Sequence, residues 1–157
     1  MVKYLKNRHN IILIISFIFL LILFILFILS FLVLNDNSTN EVCFKEKCFK
    51  VEIANNEIER SQGLMFRQNL SENEGMLFIF PKEDNYNFWM KNTLIPLDII
   101  WISKNEEIVF IEKNVLPCKE DPCQIYTSPK KVLYVLEINS GQTEEIRINI
   151  GDKIMIS

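Results

Sequence analysis

From Ile11 to Leu34 the chain is apolar at every position except Ser16 and Ser30, and it carries no charge. At about 1.5 Å per residue a helix over this run spans roughly 36 Å, enough to cross a hydrocarbon core of about 30 Å with some tilt. A helix buried in a globular core would show a polar face, and this run shows none. The pattern predicts one transmembrane helix over 11–34. Lys3, Lys6 and Arg8 precede it, and no acidic residue occurs before Asp36. Such a positive flank holds residues 1–10 in the cytoplasm and sends the rest outward. The run is longer than the core of a cleaved signal peptide, about 7–15 residues. It leaves through Leu32-Val33-Leu34-Asn35, with no small-x-small site, and the next cysteine is Cys43, too distant for a lipoprotein signal. The expectation is a retained single-pass signal anchor with an extracytoplasmic C-terminal domain.

Beyond the run the periodicity changes. Residues 35–46 read as a polar linker (Asn35-Asp36-Asn37-Ser38-Thr39-Asn40) leading into the first arm of a hairpin. Over 47–157 strand patterns dominate. Phe49, Val51 and Ile53 alternate with Lys50 and Glu52, as in a half-buried strand. Asn55-Asn56 caps a short helix from Glu57 to about Leu64, stopped near Gly63. Met76–Phe80 is a continuous apolar run ended by Pro81, a buried strand. Phe88–Lys91, Leu97–Ser103, Glu107–Ile111, Val132–Ile138 and Lys153–Ile156 complete the strands, with a helical turn over Gln142–Ile146. Many short strands with frequent turns predict a mainly β domain, a β-sandwich or barrel with one or two small helices.

Charge narrows the partners. The chain has 17 basic and 20 acidic residues. Without Lys3, Lys6 and Arg8 the remainder holds 14 basic against 20 acidic ones, a net charge of −6. A nucleic-acid binder is usually basic, so that class is set aside. The four cysteines form two pairs of equal spacing, Cys43-Phe-Lys-Glu-Lys-Cys48 and Cys118-Lys-Glu-Asp-Pro-Cys123. Outside the cytoplasm such pairs oxidise. Four cysteines allow three pairings, and local pairing is favoured at the first, where a hairpin sets Cys43 opposite Cys48. A zinc site would need tighter spacing, so no metal and no cofactor is expected.

Arg60-Ser-Gln-Gly63-Leu-Met-Phe-Arg67, Gly75-Met-Leu-Phe78 and Phe88-Trp-Met-Lys-Asn-Thr-Leu-Ile-Pro-Leu-Asp98 resemble domain-of-unknown-function family 192, also called uncharacterised protein family 0127. Pro117-Cys118, Cys123, Tyr126, Val135-Leu136-Glu137 and Gly151-Asp152 are similar to its later segments. The resemblance covers roughly residues 47–156 and implies a compact, jelly-roll-like β domain, often exported or membrane-anchored, with no established activity. One departure is Gln124, where many members have proline.

The only histidine is His9, before the apolar run. The outer domain therefore cannot build a Ser-His-Asp triad, a Cys-His pair or a histidine zinc site. Asp98 and Glu137, on strands expected to be neighbours, offer a carboxylate pair for glycoside hydrolysis. The bland alternative has Asp98 accepting from backbone N–H groups after Pro96 and Glu137 pairing with Arg60 or Lys91. Arg60, Arg67, Trp89, Lys91 and Asn92 form a second set, basic and amide groups beside an aromatic surface, suited to a carboxylate, phosphate or sugar. Their bland alternative is scaffolding, with each arginine stapling the helix to the sheet. Met65, Met76 and Met90 near Trp89 offer a thioether copper site, or simply core filling. The leading reading is a tethered binding module for a small anion, a glycan or an envelope protein. Behind it stand a carboxylate hydrolase of envelope sugars and a structural partner of another membrane protein.

Overall fold

The structure, a computed structural model, describes residues 15–28 and 40–157. Residues 15–28 are one helix, α1, within the expected anchor; residues 11–14 and 29–34 of that span lie outside the described residues. Among the described residues, no helix is long and apolar enough to cross a membrane.

The C-terminal unit is mainly β. Its strands are β1 (Glu41–Phe44), β2 (Lys47–Ala54), β3 (Glu74–Asp84), β4 (Asn87–Trp89), β5 (Leu97–Ile102), β6 (Ile108–Val115), β7 (Ile125–Thr127), β8 (Val132–Asn139) and β9 (Met155–Ile156). Two short helices accompany them, α2 (Glu57–Gln62) and α3 (Gln142–Glu145). Seven strands form one sheet in the order β6-β5-β8-β3-β2-β1-β9, and β4 and β7 form a separate ribbon. β2 and β3 run parallel, joined across α2; the other pairs in the large sheet are antiparallel.

The mainly β expectation holds, but the jelly-roll-like sandwich or closed barrel is replaced by a half-barrel built on one sheet. One sheet curls until its two edges meet. Ile108 N donates to Asp152 O at 3.0 Å, Gly151 N to Ile108 O at 2.8 Å and Ile154 N to Glu106 O at 3.0 Å. The result is a half-barrel with apolar side chains on both faces. Inside the curl Phe49, Val51, Leu77, Ile100, Ile102, Ile108, Leu136 and Ile138 pack together. On the other face Met76, Phe78, Ile99, Trp101 and Val135 pack beneath Leu64 and beneath Phe88 of the ribbon. Interior strand β5 is buried at every position, so its pattern is apolar without alternation except at Asp98.

Local signals behave as the sequence predicts at the first hairpin. Cys43 and Cys48 are register partners, their Cα atoms 4.0 Å apart, and they are bonded. Cys118 and Cys123 are bonded as well, with Cα atoms 5.6 Å apart. Pro81 does not end its strand: β3 continues to Asp84. The β3–β8 register breaks between Ile79 and Asp84, so Pro81 sits where a ladder N–H is not required.

Candidate functional site

The site begins at α2. Asn56 caps it by accepting from Glu59 N at 3.0 Å, while Glu59 Oε2 accepts from Asn55 N at 3.1 Å, a reciprocal cap. Gly63 closes the helix at φ +48°, and a Cβ there would stand 3.2 Å from Cζ of Phe78. A glycine both adopts that backbone and lets the turn lie against the ring. This turn carries Arg60 over β3, with Nη1 donating to Ile79 O at 2.9 Å and the guanidinium 5.4 Å from the Phe80 ring centre. Arg60 therefore does staple helix to sheet, but through a backbone carbonyl and an aromatic face rather than through an acid.

Between α2, β3 and β4 lies a cavity of about 340 Å³. Five aromatic rings dominate the apolar part of its walls: Phe78, Phe80, Tyr86, Phe88 and Trp89. Phe80 and Tyr86 stack with ring centres 3.5 Å apart, and Phe78 meets Phe88 edge-on at 4.9 Å. Polar side chains make up about half of the lining: Glu57, Arg60, Ser61, Gln62, Asn87, Thr93 and, from β8, Glu137.

Glu137 is the chemically unusual member. It is paired across the sheet with Met76 on β3 and Ile99 on β5, so its flanking neighbours are apolar. It is 5% exposed, and among the described residues no hydrogen bond or ion pair reaches its carboxyl. Every side-chain polar atom fully sealed from solvent among the described residues has a partner. The carboxyl of Glu137 is therefore not fully sealed, and Glu137 lies on the lining of the cavity. Burial pushes its pKa up to about 8, so the acid is mostly protonated at neutral pH.

Asp98 provides the contrast. It lies on the next strand and is fully buried, yet it accepts from Asn114 N at 2.8 Å, Thr143 N at 2.9 Å and Thr143 Oγ1 at 2.7 Å. Those donors, not the amides following Pro96, satisfy it; they pin α3 and the end of β6 to the sheet. The β5–β8 register pairs Asp98 with Ile138 and Ile99 with Glu137, so the two acids project from opposite faces. They cannot flank one glycosidic bond, and the paired-carboxylate hydrolase expectation fails on that geometry.

The expected ligand set divides. Arg60 and Trp89 line the cavity. Lys91 is not on the lining; it lies 5.7 Å from the Trp89 ring centre and pairs with Asp121 at 3.2 Å. Arg67 is outside, bidentate to Glu52 at 2.5 Å, which holds the Glu52 carboxyl below its usual range. Asn92, at φ +57°, supports the loop: its carbonyl accepts from Phe66 N at 2.8 Å and its amide reaches Met65 Sδ at 3.9 Å. Met76 and Met90 are buried core residues, and of the three methionines Met65 alone borders the cavity. Phe78, Phe80, Tyr86 and Thr93 were not among the expected site residues. The signal for two of them was Phe78 and Phe80 alternating along β3 on the face that carries Met76.

Several known proteins resemble the chain. The DUF192 family model, described as "Uncharacterized ACR", matches residues 40–156. A UPF0127 protein of Pyrococcus abyssi is 31% identical over 110 residues, covering 67% of this chain and 84% of the relative. One from Pyrococcus horikoshii is 32% identical over 110 residues, covering 67% and 85%. A crystal structure of a protein of unknown function from Novosphingobium aromaticivorans matches with a TM-score of 0.68 and 34% identity, over 74% of this chain and 83% of that one. Another, described as a suggested transcription regulator of Sinorhizobium meliloti, matches at 0.69 and 31%, over 76% and 94%. The chain belongs to the DUF192, or UPF0127, family of uncharacterised proteins.

Proposed function

We propose that this chain is a membrane-tethered binding module whose C-terminal domain holds an uncharged sugar unit in the cavity above Glu137. The observation that carries the reading is an aromatic-walled cavity of about 340 Å³ with a buried, unpartnered acid on its lining. Ligand sites combine apolar walls with a few convergent polar groups, and a sugar ring matches that mixture with an apolar C–H face and hydroxyl edges. A small anion fits less well. Arg60 is the one lining cation; Glu57 opposes it, and its Nη1 is engaged by Ile79 O. Nucleic acid fits poorly against a net charge of −6 beyond the apolar run, whatever description a relative carries.

The tether is the run over 11–34, with residues 1–10 cytoplasmic and the β domain extracytoplasmic. Its support is the uncharged apolar stretch, the preceding bases and the two disulfides, which belong to an oxidising compartment. Protease added to intact cells should remove the β domain, whereas its survival until lysis would reverse the orientation.

Binding is tested by calorimetry of the full chain in detergent micelles with chitotriose and, separately, inorganic phosphate. Saturable chitotriose binding that Trp89→Ala weakens supports the module. Phosphate binding without chitotriose binding would replace the sugar with an anion.

A further inference from the structure

Resting on the binding reading, we propose that Glu137 is the recognition group of the cavity: as a neutral carboxylic acid it donates its proton in a hydrogen bond to a ligand oxygen, so the site selects uncharged oxygen acceptors and rejects cations. Aromatic walls around an acid admit two ligand classes. An organic cation would use the ring faces and an ionised carboxylate. A neutral hydroxyl or amide-bearing ring would use the same faces for packing and a protonated carboxyl for a directed bond.

The geometry separates them. Among the described residues no donor or positive charge reaches the carboxyl of Glu137, and its cross-strand neighbours Met76 and Ile99 provide none. Ionised, it would be a buried charge without compensation, the most costly state for such a group. The charged and titratable groups on the rest of the lining are Glu57 and Arg60 from α2 and Tyr86 before β4. Cations already occupy the aromatic faces: Arg60 over Phe80 and Lys91 over Trp89. A ligand cation would enter against both. Asp98, one strand away, shows what a carboxylate kept for structure looks like here, with three donors at 2.7 to 2.9 Å. Glu137 has the burial of Asp98 without its donors, and it has a cavity in front of it. The bond left unmade inside the protein is the one assigned to the ligand. Its raised pKa, about 8, is consistent with the proton being present at neutral pH.

The test is the pH profile of binding by the full chain in micelles, with chitotriose as the neutral probe and choline as the permanently charged one. Chitotriose affinity should be level from pH 5.5 to 7 and fall by about tenfold per unit well above pH 8, as the proton is lost. Choline should fail to bind at pH 6. Glu137→Gln keeps a donor that cannot ionise; it should bind chitotriose more weakly and with a flat profile. The wild-type profile carries the test by itself if that variant does not fold. A chitotriose affinity indifferent to pH overturns the proton-donor role and leaves the sugar reading standing. Choline binding that strengthens above pH 8 and is lost in Glu137→Gln assigns the cavity to cations instead. No chitotriose binding at any pH overturns both readings.

Discussion

Replacing Glu137 by glutamine should stabilise the protein at neutral pH, by an amount the structure lets one work out. The carboxyl rises from an ordinary 4.5 to about 8 on folding, through burial alone. Below pH 4.5 both folded and unfolded chains hold the proton, and the group contributes no pH dependence. Between 4.5 and 8 the unfolded chain has released it and the folded chain has not, so stability falls as pH rises, by about 1.4 kcal/mol per unit. The loss is about 3 kcal/mol at pH 7 and approaches 5 kcal/mol above pH 8, where the slope ends. The lowered carboxyls Glu52, Glu59 and Asp84 act with the opposite sign and below their ordinary values, so of the shifted groups among the described residues only Glu137 spans pH 5 to 8. The assay is urea unfolding of the full chain in mild detergent, followed by tryptophan fluorescence at pH 5, 6, 7 and 8. Wild type should lose stability across the series while Glu137→Gln stays level, the gap widening by up to about 4 kcal/mol. A wild-type profile that is flat, or that rises with pH, would refute the unpaired buried acid. So would a variant that keeps the wild-type slope.

Trp89→Ala should cost less than about 1 kcal/mol, because the ring is 50% exposed, whereas Trp101→Ala, at 0% exposure, should cost about 3–5 kcal/mol by the same unfolding assay. Gly75→Ala should destabilise by about 1–3 kcal/mol, since its Cβ would lie 2.7 Å from the Glu137 carbonyl oxygen; a neutral result would mean that β3 and β8 separate readily. Arg67→Met should lower stability by less than about 1 kcal/mol, as expected of an exposed pair, and leave chitotriose binding unchanged, since Arg67 lies off the cavity. Mass spectrometry of unreduced protein should find Cys43–Cys48 and Cys118–Cys123 links; free thiols would contradict the oxidising compartment.

What could be read from the sequence was local. The first hairpin follows from alternation around a four-residue bend, and the disulfide across it follows from the hairpin. The Asn56 cap and the Gly63 stop bound α2 to within two residues of expectation. What could not be read was long-range pairing. Nothing near Glu137 in the chain indicates that Met76 and Ile99 flank it, and only that pairing shows the acid facing aromatic residues of β3 and β4. The same gap placed Asp98 and Glu137 in one imagined cleft, since adjacency of strands was inferred without register, and a one-residue offset moves a side chain to the other face. β5, apolar on both faces, concealed its two-sided burial, so Trp101 and not Trp89 is the core tryptophan. Pro81 misled because a proline ends a regular strand but is tolerated at an irregularity in the ladder.

The most direct measurement is a chemical-shift map of chitotriose titrated into the isotope-labelled full chain at pH 6. The indole of Trp89, the methyl of Thr93 and the side-chain carboxyl of Glu137 should move together and saturate with one affinity, while the carboxyl of Asp98 stays in place. Shifts confined to another surface, or a Glu137 signal that ignores the sugar while the rest of the protein responds, would contradict a binding site built on that acid.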